Sequence, residues 1–172
     1  MIIRPLEQAD WPATWQIIEP VFRAGETYSV ATHITEEEAF KVWVEMPVVT
    51  CVAENSDGLI QGTYYLKANQ PGPGSHVCNS GYIVAEAARG KGIASALCKH
   101  SQTEAIKLEF RAMQYNLVVS TNTSAVRLWR KLGFEIVGTL PEAFLHPSQG
   151  FVDAYVMYNK LDLSSNSITN QL

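Results

Sequence analysis

Apolar side chains recur along the chain at two spacings, and the switches between them mark out its elements. Trp15, Ile18 and Phe22 stand three and four residues apart, which lines one face of a helix. Asp10 offers a carboxylate cap before Trp11-Pro12, where an early proline loses no hydrogen bond, and Gly25 offers an ending. Met1 to Pro5, ahead of this helix, reads as a short strand. Thr35 with Glu38 forms a capping-box pattern for a second helix through about Val44, closed by Pro47. Residues 48–54 and 59–67 are rich in β-branched and aromatic side chains, joined by the hairpin-turn sequence Asn55-Ser56-Asp57-Gly58. Pro71-Gly72-Pro73-Gly74 breaks the pattern, and residues 76–84 resume it as a strand.

A helix is predicted from Lys91 to about Leu108, then a buried strand over 116–120. Asn122 can cap a fourth helix running to Leu132, which Gly133 ends. Residues 134–139 and 151–158 read as the last strands, with 141–150 as a long loop between them. Early hairpins followed by right-handed crossovers predict an α/β fold, a mixed sheet flanked by helices. One domain over residues 1–160 is expected, with a polar, frayed tail over 161–172.

Composition narrows the function. The 172 residues, 47% hydrophobic and 17% charged, suit one globular domain. Seventeen acidic against thirteen basic residues give a net charge of −4, so no nucleic-acid partner is expected. No apolar run approaches the roughly 20 residues of a membrane span. Met1-Ile2-Ile3-Arg4-Pro5 lacks a secretory pattern, so a cytoplasmic protein without a membrane partner is expected. Cys51, Cys78 and Cys98 are an odd count, and neither they nor His33, His76, His100 and His146 show metal-ligand spacing. A reduced compartment and no metal are therefore expected.

Chemistry concentrates where a strand leaves through Ala85-Glu86-Ala87-Ala88-Arg89-Gly90-Lys91-Gly92 into a helix beginning Ile93-Ala94-Ser95. Glycines admit a ligand close to the backbone, and the free N–H groups of a helix start favour an anion. Arg89 and Lys91 add positive charge, so a pyrophosphate site is predicted. A P-loop is excluded because Lys91 is followed by Gly92 rather than Ser or Thr. A dinucleotide fingerprint starting at Gly90 meets Ser95 at its third small position and lacks an acid after the next strand, which ends Ser120-Thr121-Asn122.

Arg89-x-x-Gly92-x-Ala94 resembles the signature of the GNAT superfamily, the acetyl-coenzyme A-dependent N-acetyltransferases. Asn122-x-x-Ala125-x-x-Leu128-Trp129-x-x-x-Gly133-Phe134 is similar to that superfamily's second block, at its usual separation. The resemblance implies a GNAT fold, a mostly antiparallel sheet whose two neighbouring parallel strands splay apart. It implies acetyl-CoA as cosubstrate, its pyrophosphate held by the amides of Gly90, Lys91, Gly92, Ile93, Ala94 and Ser95. Its pantetheine arm would pair with the main chain around Val84, and Asn122 would cap the fourth helix and reach the same arm. Where the family often carries an acidic tyrosine, this chain has Trp129. Dimers are common in the superfamily, so a homodimer is an implied assembly.

The segments around Asn79 and Asn116 resemble the L-azetidine-2-carboxylate (proline-analogue) acetyltransferases, in which asparagines at the matching positions serve substrate and chemistry. If the two share a face, both amides point into the splay, where they can orient a substrate or stabilise an oxyanion. Glu26 and Tyr28, in the polar loop after the first helix, are expected to wall the acceptor, and the 141–150 loop to help cover it. Cys78, without a neighbouring base, reads as a buried thiol. The expected reaction is direct acetyl transfer, in a ternary complex, to the nitrogen of a small amino acid or related amine. A protein or peptide acetyltransferase and a non-catalytic acetyl-CoA sensor are the alternatives.

Overall fold

The computed structural model describes residues 1–162; the expected frayed stretch from Ser164 lies outside them. Seven strands form one sheet in the order β1-β2-β3-β4-β5-β7-β6. They are β1 (Ile2–Pro5), β2 (Val49–Glu54), β3 (Ile60–Ala68), β4 (Val77–Val84), β5 (Ala112–Val119), β6 (Glu135–His146) and β7 (Gly150–Lys160). Every neighbouring pair is antiparallel except β4 and β5. Helices α1 (Trp11–Ala24) and α2 (Glu36–Phe40) cover one face, α3 (Ile93–Lys107) and α4 (Thr123–Lys131) the other.

Trp11, Trp15, Ile18 and Phe22 of α1 pack with Trp43 and Ile83 in the first core. The second core joins Leu97 and Cys98 of α3 to Tyr64, Leu66, Met113 and Met157 of the sheet. The capping box of α2 forms as expected, Thr35 and Glu38 bonding reciprocally, and α1 ends on left-handed Gly25.

Three expectations need correction. Asp10 does not cap α1 with its side chain. Its carboxylate is held instead by Arg4 at 2.6 and 2.9 Å and by the Glu7 N–H at 2.8 Å. Strand β5 begins at Ala112 rather than 116, because Ala112 and Met113 pair with Lys160 and Asn159 of β7. Residues 141–150 are no loop. Strand β6 continues to His146 past a register shift between Leu140 and Phe144, where the Glu142 N–H bonds Asp153 Oδ1. Pro141 is tolerated because β6 is the sheet's edge and needs no N–H on its outer side. The connection shrinks to residues 147–149. Just past β7, the Leu161 N–H bonds the Arg111 carbonyl and the Leu161 side chain is buried.

Candidate active site

Strands β4 and β5 pair only near their starts, Val77 with Ala112 and Cys78 with Met113. Beyond that, each keeps its outer neighbour, β3 for one and β7 for the other, and a wedge opens between them. A register shift between Tyr115 and Val118 against β7 puts an extra residue into β5 there, which bends the strand. Asn79 sits at the apex, 8% exposed. Its Nδ2 donates to the Gln114 carbonyl at 2.9 Å, replacing the partner a continued ladder would have supplied. Its Oδ1 accepts from the Tyr65 hydroxyl at 3.0 Å.

Alternation along β4 decides which main-chain groups face the wedge. The Ala85 N–H donates to the Gln61 carbonyl, and the Asn69 N–H to the Val77 carbonyl. The odd-numbered residues of β4 are thereby those that bond β3, and Ser80, Tyr82 and Val84 turn their N–H and C=O groups into the wedge. The Tyr82 carbonyl accepts from the Tyr28 hydroxyl at 2.8 Å. Burial holds the Tyr28 phenol far above its ordinary pKa, so it is a neutral donor and not a base.

A cavity of about 730 Å³ occupies the wedge. On the α1 side its wall is aromatic: Trp43 packs edge-on to Tyr65 at 4.9 Å and to Tyr28 at 5.8 Å between centroids. Gly81 makes that wall possible. A Cβ there would lie 2.7 Å from Tyr65 Cε1 and 3.1 Å from the Tyr28 hydroxyl. On the α4 side, Trp129 lies 5.0 Å from Tyr82 and 5.3 Å from Tyr115. The Tyr115 hydroxyl donates to that of Tyr82 at 3.1 Å, and Tyr82 in turn meets Ser101 Oγ at 2.7 Å. One tyrosine comes from each splayed strand, so this pair ties them together on the α3 face. Trp129 stands in this wall as a packing residue, and burial pushes both phenols far above their ordinary pKa.

At the far end the glycine turn leads into α3. Gly90 and Gly92 hold φ of 76° and 78°, a backbone region that other L-residues enter only with strain. No side chain caps α3, and its first amides have no intrahelical acceptor. A Cβ at either glycine would meet nothing within 4 Å, so there is open space beside the turn. Asn122 caps α4 as expected, accepting from the Ala125 N–H at 3.2 Å.

Of the residues singled out by sequence, Glu26, Tyr28, Asn79, Val84, Arg89, Ala94, Asn116 and Asn122 line the cavity. Gly90, Lys91, Gly92 and Ser95 lie in the adjoining turn and helix start without lining it, and the Ile93 side chain is core. Asn116 lines the same cavity as Asn79 without a hydrogen bond between them. It is exposed, donates to Asn69 Oδ1 at 2.7 Å and accepts from Gln114 Nε2 at 2.9 Å. The 141–150 segment contributes nothing to the cavity wall, so the expectation that it covers the site fails. Tyr65, Lys67, Gly81 and Tyr115 escaped the sequence reading. Cys78 is buried, its thiol pushed up to about 12 by burial.

Residues 7–134 match the family model described as the acetyltransferase (GNAT) family. The chain is 32% identical over 148 residues to N-acetyltransferase aca1 of Schizosaccharomyces pombe, covering 77% of this chain and 71% of the relative. Among solved structures, a GCN5-related N-acetyltransferase from Kribbella flavida superposes with a TM-score of 0.89 at 43% identity, over 93% of this chain and 97% of that one. A phosphinothricin acetyltransferase from Sinorhizobium meliloti, determined in complex with acetyl-CoA, gives 0.82 at 24% identity, over 93% and 88%, a likeness of fold. With the wedge, the uncapped glycine turn and both sequence blocks in place, the chain belongs to the GNAT family of acetyltransferases and is an acetyl-CoA-dependent acyltransferase.

Proposed function

We propose that the enzyme moves acetyl from acetyl-CoA to the nitrogen of a small amino acid or related amine, proline analogues included. The observation that carries this reading is the wedge itself. It has main-chain donors along β4, a fixed amide at its apex and a cavity walled by aromatic rings. The amides from Gly90 to Ser95 would take the pyrophosphate, with Arg89 and Lys91 adding charge. The clearance above Gly90 and Gly92 supports that fit, as does the acetyl-CoA complex of the Sinorhizobium meliloti fold relative. Acetyl-CoA supplies the thioester and a thiolate leaving group.

The Val84 N–H, turned into the wedge, would hold the pantetheine arm and polarise the thioester carbonyl. Asn79 has one N–H left after its bond to Gln114, and this donor and Asn116 would position the acceptor and the reacting carbonyl. Direct attack of the amine is supported by the thiols. Cys51, Cys78 and Cys98 are all buried, with pKa values raised chiefly by desolvation, so none is poised to carry the acetyl group. The test is thiol release from acetyl-CoA against a panel of amino acids, proline analogues and peptides. Turnover of free amino acids is expected. Turnover of peptides alone would replace this reading with a peptide acetyltransferase, which the absence of a 141–150 cover favours.

A further inference from the structure

Among the described residues, three charged ones line the cavity: Arg89 at the glycine-turn end, Glu26 after α1, and Lys67 on β3. Lys67 stands directly across from Asn79 in the β3–β4 register and two residues beyond Tyr65, so it shares their face. Its ammonium lies 5.4 Å from the centre of the Tyr65 ring, and its position is half-buried. The ion pairs among the described residues join Arg4, Arg23, Lys41 and Lys107 to acids; Lys67 has none. A cation over the Tyr65 ring, on a half-buried residue across the register from Asn79 and without a carboxylate of its own, is placed to attract an anion into the cavity.

We infer that Lys67 binds the carboxylate of the acceptor, so that the enzyme selects free α-amino acids over amines and peptides lacking a carboxylate beside the nitrogen. This inference rests on the N-acetyl-transfer reading above. In an α-amino acid a single carbon separates the amine from the carboxylate. A carboxylate anchored at Lys67 therefore keeps the nitrogen beside Asn79, at the narrow end of the wedge. The one acid among the described residues that line the cavity, Glu26, lies on the segment after α1 and complements the ammonium form of such a substrate as it enters.

The test compares matched pairs, L-amino acids and their carboxamides, by thiol release with wild-type enzyme and saturating acetyl-CoA. Amidation lowers the amine pKa and leaves more neutral nucleophile, so amine chemistry alone favours the amide. The expected result is the opposite, a preference for the acid of about 10- to 100-fold in kcat/KM. Lys67→Met should collapse that ratio toward one, mainly by raising KM for the acid, and Lys67→Arg should keep most of it. A ratio that survives Lys67→Met, or a wild type that takes amides as readily as acids, overturns the inference while leaving acetyl transfer intact. Thiol release with no acid, amide or peptide overturns the transfer reading and this inference with it.

Discussion

Replacing Asn79 by alanine tests the apex of the wedge, because both of its hydrogen bonds vanish together. The Gln114 carbonyl loses the donor at 2.9 Å and the Tyr65 hydroxyl loses the acceptor at 3.0 Å. An acceptor left without a partner at this half-buried position costs about 1–3 kcal/mol. For a chain of this size each kcal/mol lowers Tm by about 2–4 °C, so the middle of that range predicts a drop of about 4–8 °C. Tyr65→Phe removes one of the two bonds and leaves the bridge to Gln114, so its loss should be about 1 kcal/mol. Activity adds a second readout. On the proposed placement of acetyl-CoA at the glycine turn, away from Asn79, Asn79→Ala assayed well below its transition should lose about ten-fold or more in kcat, with KM for acetyl-CoA nearly unchanged. Circular dichroism melts and thiol-release kinetics measure the two effects separately. An unchanged Tm would refute the bridge as a structural element, and an unchanged kcat would refute Asn79 as a residue of the reacting end.

Other perturbations probe the remaining parts. Gly81→Ala places a methyl 2.7 Å from Tyr65 Cε1, and overpacking of this kind costs about 1–3 kcal/mol; melts should register it, and acceptor KM should rise as the aromatic wall shifts. Arg89→Ala should raise KM for acetyl-CoA several-fold, at about 1 kcal/mol for a lost charge-assisted contact, with little change in acceptor KM. The Asp10 carboxyl is held below its ordinary pKa, first by the Arg4 hydrogen bonds. A depressed folded-state pKa stabilises the fold above the unfolded value near pH 3.9, and this stabilisation is lost as pH falls through the folded-state value; the melting temperature should therefore fall below about pH 4 in the wild type and less steeply in Arg4→Met. Equal slopes in the two proteins would refute the link.

Local signals carried much of the fold. The Thr35–Glu38 capping box, the Gly25 ending and the Asn122 cap each act within a few residues, and all three stand as expected. The glycine turn was legible for the same reason, since positive φ and an uncapped helix start are local properties. What failed was decided by distant partners. Asp10 was drawn from its cap by Arg4, six residues away in sequence and fixed beside it by β1 and Glu54. Ala112, Met113 and Gln114 have no strong strand preference and become β5 through pairing with β7. Pro141 reads as a break unless the strand is known to be an edge. The cavity wall suffered likewise: Lys67, Tyr65 and Gly81 acquire meaning only through the register that sets Lys67 against Asn79 and Tyr65 against Gly81. Asn79 and Asn116 were legible from strand position and alternation, which the family resemblance reinforced, although their shared cavity comes without a shared hydrogen bond.

A crystal structure of the enzyme with acetyl-CoA would show whether the wedge is the coenzyme site. The pyrophosphate is expected on the amides between Gly90 and Ser95, and the pantetheine arm in the wedge against the Ser80, Tyr82 and Val84 edge of β4. A coenzyme bound elsewhere, or β4 and β5 paired along their whole length with nothing between them, would contradict that placement.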